Sequence, residues 1–239
     1  MQQLLVDELT GDRVILAPAR ALRPDTFRVH ADPLPASDAT CPFCRGNEHE
    51  TPPEVARLGS GGPDTPGWTL RVVPNKYPIV GDGVAGAHEV VIFSPAHDAD
   101  FGALSESEAA DVVLALRERA RFHLAHGRRY VQAFVNQGKA AGASIEHPHA
   151  QLVALDLVPP RAQVRLDRFA LAAFTDDQEH RVVEGAVVVL CPPASASPFT
   201  MRLAPAEGCA RFDDAGDDET RAVAVALRDA IGRIRSVLG

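Results

Sequence analysis

The sequence predicts a fold of β-strands and α-helices that is built from one duplicated unit, with the second copy incomplete. Short apolar runs bounded by turn residues predict the strands. Two long segments with apolar residues at helical spacing predict the main helices. The order strand, strand, helix occurs twice, and Pro95 in the first copy corresponds to Pro205 in the second. Chance likeness between two β-β-α segments is the alternative to a true repeat.

The first copy carries five predicted strands and one well-marked helix. The helix spans residues 105–127, where Ser105 as N-cap and Glu108 form a capping-box pattern and Gly127 marks the end. Residues 31–66 are rich in proline, glycine and acidic residues, so we expect an irregular segment there. The predicted strands cover residues 14–17, 69–73, 88–93, 130–135 and 151–155.

The second copy is shorter and lacks the polar motifs of the first. Glu207 stands where the first copy has His97, and no segment corresponds to residues 135–151. We therefore predict two domains, a complete catalytic unit at 1–158 and a truncated, chemically silent unit at 159–239. The elements predicted in the second unit are a helix at 161–177, strands within 181–191 and 199–205, and a helix at 217–239.

Composition excludes several classes of protein. Hydrophobic residues make up 46% of the chain, which argues against disorder over most of its length. The net charge is −8 and no run of Lys or Arg exceeds two, so neither nucleic acid nor a membrane surface is an expected partner. The first residues lack the pattern of a signal peptide, and we expect a cytoplasmic protein. Four cysteines are too few for a disulfide scaffold.

Residues 145–155, IEHPHAQLVAL, place polar side chains at alternate positions. On a strand, His147, His149 and Gln151 share one face and the apolar residues between them share the other. Pro148 has no N–H for a ladder, which predicts an edge strand or a strand start. The motif indicates a site beside a core, although a half-exposed strand with two surface histidines would show the same pattern.

The CPFC motif suggests a metal site. Cys41 and Cys44 have the spacing that lets two thiolates bind one Zn²⁺ ion. His97 in SPAHD and His147 in EHPH are the histidines that we expect to complete a Cys₂His₂ site. Four protein ligands leave no position open for water, so such a zinc would be structural. A redox dithiol and unligated thiols are the alternatives.

A glycine-rich segment precedes the histidines. Gly138, Lys139, Gly142 and Ser144 lie between two predicted strands, where backbone N–H groups, a hydroxyl and an ammonium could bind an anion. Many glycine-rich turns look similar. Followed directly by the histidine strand, the segment indicates phosphate chemistry, because a neutral imidazole can attack phosphorus without first losing a proton.

Five stretches in order resemble the motifs of the galactose-1-phosphate uridylyltransferase family of the histidine-triad superfamily. They are LTGDRVILAPARALRP (9–24), CPFC (41–44), VVPNKYP (72–78), VIFSPAHD (91–98) and VNQGKAAGASIEHPHAQ (135–151). Gln151 distinguishes this family from the histidine-triad hydrolases, which carry a third histidine at that position. The resemblance implies a duplicated α+β fold of histidine-triad type with an antiparallel sheet and helices, and with the second unit incomplete.

The resemblance also implies an activity and the residues that perform it. His149 is expected to take a nucleoside monophosphate from a nucleotide sugar such as UDP-glucose and pass it to a sugar 1-phosphate, with Gln151 holding the phosphate. This is a role in galactose metabolism. The structural zinc ligands match Cys41, Cys44, His97 and His147. Nucleotide and phosphate contacts match Asn75, Asn136, Gly142 and Ser144, while Arg20 and Arg23 match nucleotide-sugar contacts made across a homodimer.

Two departures from the family pattern qualify these expectations. Lys76 stands where relatives often have an acidic residue, so the resemblance does not determine which residues contact the base and the ribose. The histidines of the family's iron site are missing from the second unit, so we expect no iron. A phosphorylase that uses inorganic phosphate, an adenylyltransferase and a non-catalytic, zinc-stabilised nucleotide-binding relative are the alternative functions.

Overall fold

The computed structural model describes residues 1–22, 40–169, 181–183, 185–207 and 211–238. The chain divides into two compact units, Met1–Ala99 with Arg119–Gln163 and Asp100–Glu118 with Val164–Gly239. The two histidine-triad-like domains that the sequence predicts, 1–158 and 159–239, stay a prediction. Arg23, Cys209 and the end of the helix predicted at 161–177 lie outside the described residues.

The first unit is built on a five-stranded antiparallel sheet, as the resemblance implied. All five predicted strands are present, four of them in this sheet and the one at 14–17 in a separate hairpin. The hairpin consists of β1 (Gln3–Val6) and β2 (Arg13–Leu16). The sheet has the order β3-β4-β5-β7-β6, with β3 at Ala56–Gly59, β4 at Trp68–Pro74, β5 at Gly86–Ile92, β6 at Tyr130–Val135 and β7 at His149–Leu155.

Two strands escaped the sequence analysis. Strand β1 has the sequence QLLV, which does not alternate between apolar and polar residues, and all four residues are exposed. Strand β3 lies inside the segment 31–66, which was wrongly predicted to be irregular throughout. Its four residues end at Gly59, whose positive φ of 102° and close approach to the backbone of Trp68 suit glycine alone. Pairing with β4 rather than local propensity makes this segment a strand.

Strand β7 lies in the interior of the sheet, between β5 and β6. The expectation of an edge strand was therefore wrong, whereas the expectation of a strand start was right, because the strand begins at His149 directly after Pro148. Pro148 lies outside the hydrogen-bonded ladder, so its missing N–H removes no hydrogen bond between strands. Both faces of β7 are covered, since Ala150 and Leu152 are as inaccessible to solvent as His149.

Helix α1 (Glu106–Ala125) confirms the helix predicted at 105–127. The Ser105 hydroxyl accepts from the Glu108 N–H, and the Glu108 carboxylate accepts from the Ser105 N–H at 2.8 Å, as in a capping box. The Glu108 carboxylate also accepts from the Ser105 hydroxyl at 2.7 Å, and this bond, together with the one from the Ser105 N–H, lowers the pKa of Glu108. Near its end the helix carries Arg119 and His123, which both donate to the buried Glu89 of β5 and so fasten this turn to the sheet.

We expect Glu89→Gln to destabilise the protein by roughly 3 kcal/mol, because it leaves the Arg119 guanidinium, whose side chain is only 12% exposed, without its counter-charge. Urea unfolding followed by circular dichroism measures this. Burial opposes ionisation of Glu89, but bonds from His123 and Arg119 outweigh it and lower the pKa. The contribution is therefore present above the pKa of an unfolded glutamate and is lost as pH falls through the lowered value. Glu106→Gln, at an exposed ion pair, serves as control and should change stability by less than about 1 kcal/mol.

The second unit has a three-stranded antiparallel sheet, in which β9 (Val187–Leu190) lies between β10 (Arg202–Pro205) and β8 (Arg181–Val183). Helix α3 (Asp217–Leu238) contacts β9 and β10. Within this unit the buried Arg117 of α1 donates to the Ala215 carbonyl and to the Thr220 hydroxyl. The elements fall where the sequence predicts them. They are α2 (Pro160–Phe169), which begins in the first unit, β8 (Arg181–Val183), β9 (Val187–Leu190), β10 (Arg202–Pro205) and α3 (Asp217–Leu238). None of the helices in the described ranges is both long and apolar enough to span a membrane.

Candidate active site and metal centre

Four side chains from three distant parts of the first unit form a Cys₂His₂ group. Cys41 and Cys44 lie in a tight turn, His97 follows β5, and His147 comes just before β7. Their ligand atoms all lie within 4.8 Å of one another. The Sγ of Cys44 is 3.2 Å from Nδ1 of His97 and 3.5 Å from Nδ1 of His147. The structure thus brings together the four residues predicted from motif spacing.

The geometry of this group fits a zinc ion. In a tetrahedral site with ordinary Zn–S and Zn–N bonds, a sulfur and a nitrogen ligand lie about 3.6 Å apart. The Cys41 Sγ to His147 Nδ1 distance is 3.7 Å, and neither Cys41 nor Cys44 forms a disulfide. The Nε2–H of His147 donates to the Ser94 carbonyl at 2.8 Å, which leaves Nδ1 to face the sulfurs. The donor set can therefore hold a metal ion.

The first residue of β7, His149, is held by its neighbour. Its Nδ1 lies 2.8 Å from the backbone carbonyl of His147 and donates to it, so Nε2 keeps its lone pair in the neutral ring. The ring is 6% exposed and packs edge-on against Phe43, with centroids 5.2 Å apart. Burial lowers the pKa of His149, and the hydrogen bond to His147 opposes this only in part. The lowered pKa favours the neutral form of the imidazole at neutral pH.

His149 and Gln151 line one cavity of about 410 Å³ in the first unit. This volume falls in the range of small-molecule and cofactor sites. The two residues share a face of β7, as the alternation in the sequence predicted. Apolar side chains form much of the remaining wall, which suits a planar ring, and they are Phe43, Val73, Ile79, Val90, Phe134 and Ile145.

The same cavity contains the residues predicted to bind nucleotide and phosphate. Gly142 has a positive φ of 82°, so the turn after β6 depends on glycine there. Lys76 also lines the cavity, and its ammonium donates to the Glu50 carbonyl at 3.3 Å. The roles of these residues stay predictions, and those that line the cavity are Arg20, Asn75, Asn136, Gly142 and Ser144.

Sequence analysis missed His88 of β5, which lines the cavity and is 5% exposed. Its Nε2 lies 3.0 Å from Oε1 of Gln151, and its Nδ1 accepts the Ile79 N–H at 3.2 Å. Val90 pairs with Gln151 across the sheet, so His88 is the diagonal neighbour of Gln151 on one face. The strand at 88–93 was predicted from the sequence, but its register against β7 was not.

Comparison with known proteins agrees with the resemblance seen in the motifs. The family model described as Galactose-1-phosphate uridyl transferase, N-terminal domain, matches residues 80–159. ADP-glucose phosphorylase of Arabidopsis thaliana is 36% identical over 69% of this chain and 52% of its own length. Galactose-1-phosphate uridylyltransferase of Streptomyces lividans is 33% identical over 63% of this chain and 44% of its own. The chain thus spans about half the length of these relatives.

Solved structures show the same relationship. A GalT-like protein from Arabidopsis thaliana superposes with a TM-score of 0.74 at 30% identity, covering 83% of this chain and 71% of that one. An ADP-glucose phosphorylase from the same plant, solved with bound ADP-glucose, gives 0.74 at 29% identity over 100% of this chain and 79% of its own. By sequence and by structure, therefore, this chain belongs to the galactose-1-phosphate uridylyltransferase family.

Proposed function

We propose that this protein transfers a nucleoside monophosphate from a nucleotide sugar to a phosphate acceptor through a covalent nucleotidyl-His149. One observation carries the proposal: a buried imidazole lines a nucleotide-sized cavity with its Nδ1–H bonded to a backbone carbonyl. Such a ring presents a lone pair on Nε2 without needing a separate base. Membership of a family that contains uridylyltransferases and an ADP-glucose phosphorylase supports it.

The reaction has two displacement steps. In the first, the Nε2 lone pair of His149 attacks the α-phosphorus, and the bond to the bridging oxygen breaks with its electrons leaving on sugar 1-phosphate. In the second, an oxygen of the acceptor phosphate attacks the same phosphorus, and the N–P electrons return to Nε2. The carbonyl of His147 stabilises the ring while it carries positive charge between the steps.

Other residues of the cavity bind and orient the phosphates. Gln151 donates from its side-chain amide to a non-bridging oxygen, and Ser144 and the backbone at Gly142 add donors from the loop. Asn75 and Asn136 contact the nucleotide, and Arg20 contacts the nucleotide sugar. A zinc ion held by the Cys₂His₂ group would be structural, because it would have no ligand position open for water or substrate.

The identity of the acceptor separates two versions of the proposal. In the first version the acceptor is a sugar 1-phosphate, which the names of most curated relatives favour. In the second it is inorganic phosphate, which the 36% identity to an ADP-glucose phosphorylase favours. A homodimer in the cytoplasm belongs to either version and remains a prediction from the sequence.

We expect incubation with a nucleotide sugar labelled in the α-phosphate to leave acid-labile, alkali-stable label on the protein, as a phosphorus–nitrogen bond requires. Two donors, UDP-glucose and ADP-glucose, are compared. Galactose 1-phosphate and inorganic phosphate are then added separately, and the acceptor that discharges the label faster identifies the version. A nucleotide at 100 times its dissociation constant should stabilise the protein by about 3 kcal/mol, which a thermal-shift experiment detects. Such binding without any covalent label would instead favour a non-catalytic nucleotide-binding protein.

A further inference from the structure

His88 is a buried residue that none of the proposed steps uses. It shares one face of the sheet with Gln151, and its ring stands between that side chain and the loop at Ile79. The arrangement raises a question of proton position, because an imidazole nitrogen either donates or accepts.

The backbone of the loop settles which nitrogen carries the proton. The N–H of Ile79 donates to Nδ1 of His88, and a nitrogen that accepts a hydrogen bond has no proton of its own. The neutral ring is therefore protonated on Nε2. That N–H lies 3.0 Å from Oε1 of Gln151 and donates to it. A backbone N–H can only donate, so the Ile79 N–H fixes Nδ1 of His88 as an acceptor and Nε2 as the donor to Gln151.

Asn75 is excluded as the acceptor. Its Oδ1 already accepts the Tyr77 N–H at 2.8 Å, so its amide nitrogen, 3.2 Å from Nε2 of His88, turns hydrogens towards the ring. A donor cannot receive the proton of another donor. The acceptor that lies within hydrogen-bond distance of Nε2 of His88 is the carbonyl oxygen of Gln151, at 3.0 Å.

We propose that His88 is a positioning residue that selects which end of the Gln151 amide faces the substrate. A glutamine amide has nearly the same shape when rotated by half a turn, but one orientation offers an N–H₂ donor and the other a carbonyl oxygen. With Oε1 engaged by His88, the N–H₂ group is the end left for a phosphate oxygen, which a carbonyl would repel. This inference rests on the proposed function, since it assigns a role in the same transfer.

A double-mutant cycle tests the role. We expect His88→Leu to slow single-turnover nucleotidylation by roughly tenfold or more, while the dissociation constant for the nucleotide sugar changes by less than about threefold. In a Gln151→Ala background the same substitution should have no further effect on the rate, because the residue through which His88 acts is already missing. If the rate loss in the double variant equalled the product of the two single losses, the two residues would act independently and the proposal would be wrong.

A conservative variant separates positioning from packing. Glutamine can place its amide nitrogen near the position of Nε2, so His88→Gln should recover most of the rate lost in His88→Leu. Asparagine is too short to reach that position, and His88→Asn should stay slow. Equal rates for the glutamine and asparagine variants would mean that bulk, and not the donor, matters at this position.

The proton position itself can be measured without any substrate. The ¹⁵N spectrum of histidine-labelled protein, assigned by loss of a signal in His88→Leu, should show a protonated Nε2 and a bare Nδ1. A proton on Nδ1 would refute the inference whether or not the protein is an enzyme. A protonated Nε2 in a protein that never becomes labelled would contradict the proposed function and leave the orientation of Gln151 established.

Discussion

His149→Ala is expected to abolish the covalent nucleotide label and to lower turnover by roughly 10⁴-fold or more. The loss is large because the substitution removes the attacking atom itself, and water would have to replace it in a cavity shaped for another reaction. Nucleotide affinity should change little, since most of the cavity wall is contributed by other residues. Mass spectrometry of the intact protein after mixing with donor, together with steady-state turnover, measures both effects.

The matched control is His126→Ala, which removes an exposed histidine of the first unit from outside the cavity. This variant should become labelled and turn over as the wild-type protein does. If His149→Ala accepted label at the wild-type rate, another residue would be the nucleophile and the proposed mechanism would be wrong. Circular dichroism of both variants confirms that each is folded before rates are compared.

Cys41→Ser should release the metal and lower the melting temperature by roughly 10 °C or more. A metal ion held by the Cys₂His₂ group would connect the turn at Cys41 and Cys44 to the start of β7, so losing one ligand should loosen contacts between segments far apart in the chain. Structural zinc contributes its binding free energy directly to folding. Zinc content by plasma mass spectrometry should fall from about one ion per chain to almost none, and the melting curve should shift with it.

Cys191→Ser provides the comparison, because Cys191 is a free, partly exposed thiol outside the group. It should keep its zinc and its melting temperature. At a temperature where Cys41→Ser remains folded, we expect a smaller loss of turnover than in His149→Ala. A Cys41→Ser protein that melted with the wild type while holding no zinc would show that the four residues are not a structural metal site.

The site was largely predictable from sequence where its residues follow one another along the chain. His147, His149 and Gln151 could be placed together because alternation on a strand depends only on chain positions. The pairing of Cys41 and Cys44 with distant histidines was inferable from ligand chemistry, since few residue types can complete such a site. A short-range rule determined the first arrangement, and the chemistry of the ligands indicated the second.

What escaped prediction depends on partners that no local pattern reveals. His88 acquires a role only because β5 pairs with β7 in one register and because a loop N–H meets its ring. Strand β3 forms through its pairing with β4, and β7 is an interior strand because β5 and β6 pair with its two edges. Register and strand order are set by the whole chain, which is why one sequence did not disclose them.

The oxygen that accepts the hydrogen bond from Nδ1 of His149 belongs to the main chain of His147, while the imidazole of His147 is part of the Cys₂His₂ group. No side-chain replacement can delete that oxygen. In a saturation-mutagenesis experiment with separate scores for cellular abundance and for product formation, position 147 should therefore fail first in abundance. Position 149 should fail in product formation at normal abundance, so two histidines only two positions apart would fall into opposite classes.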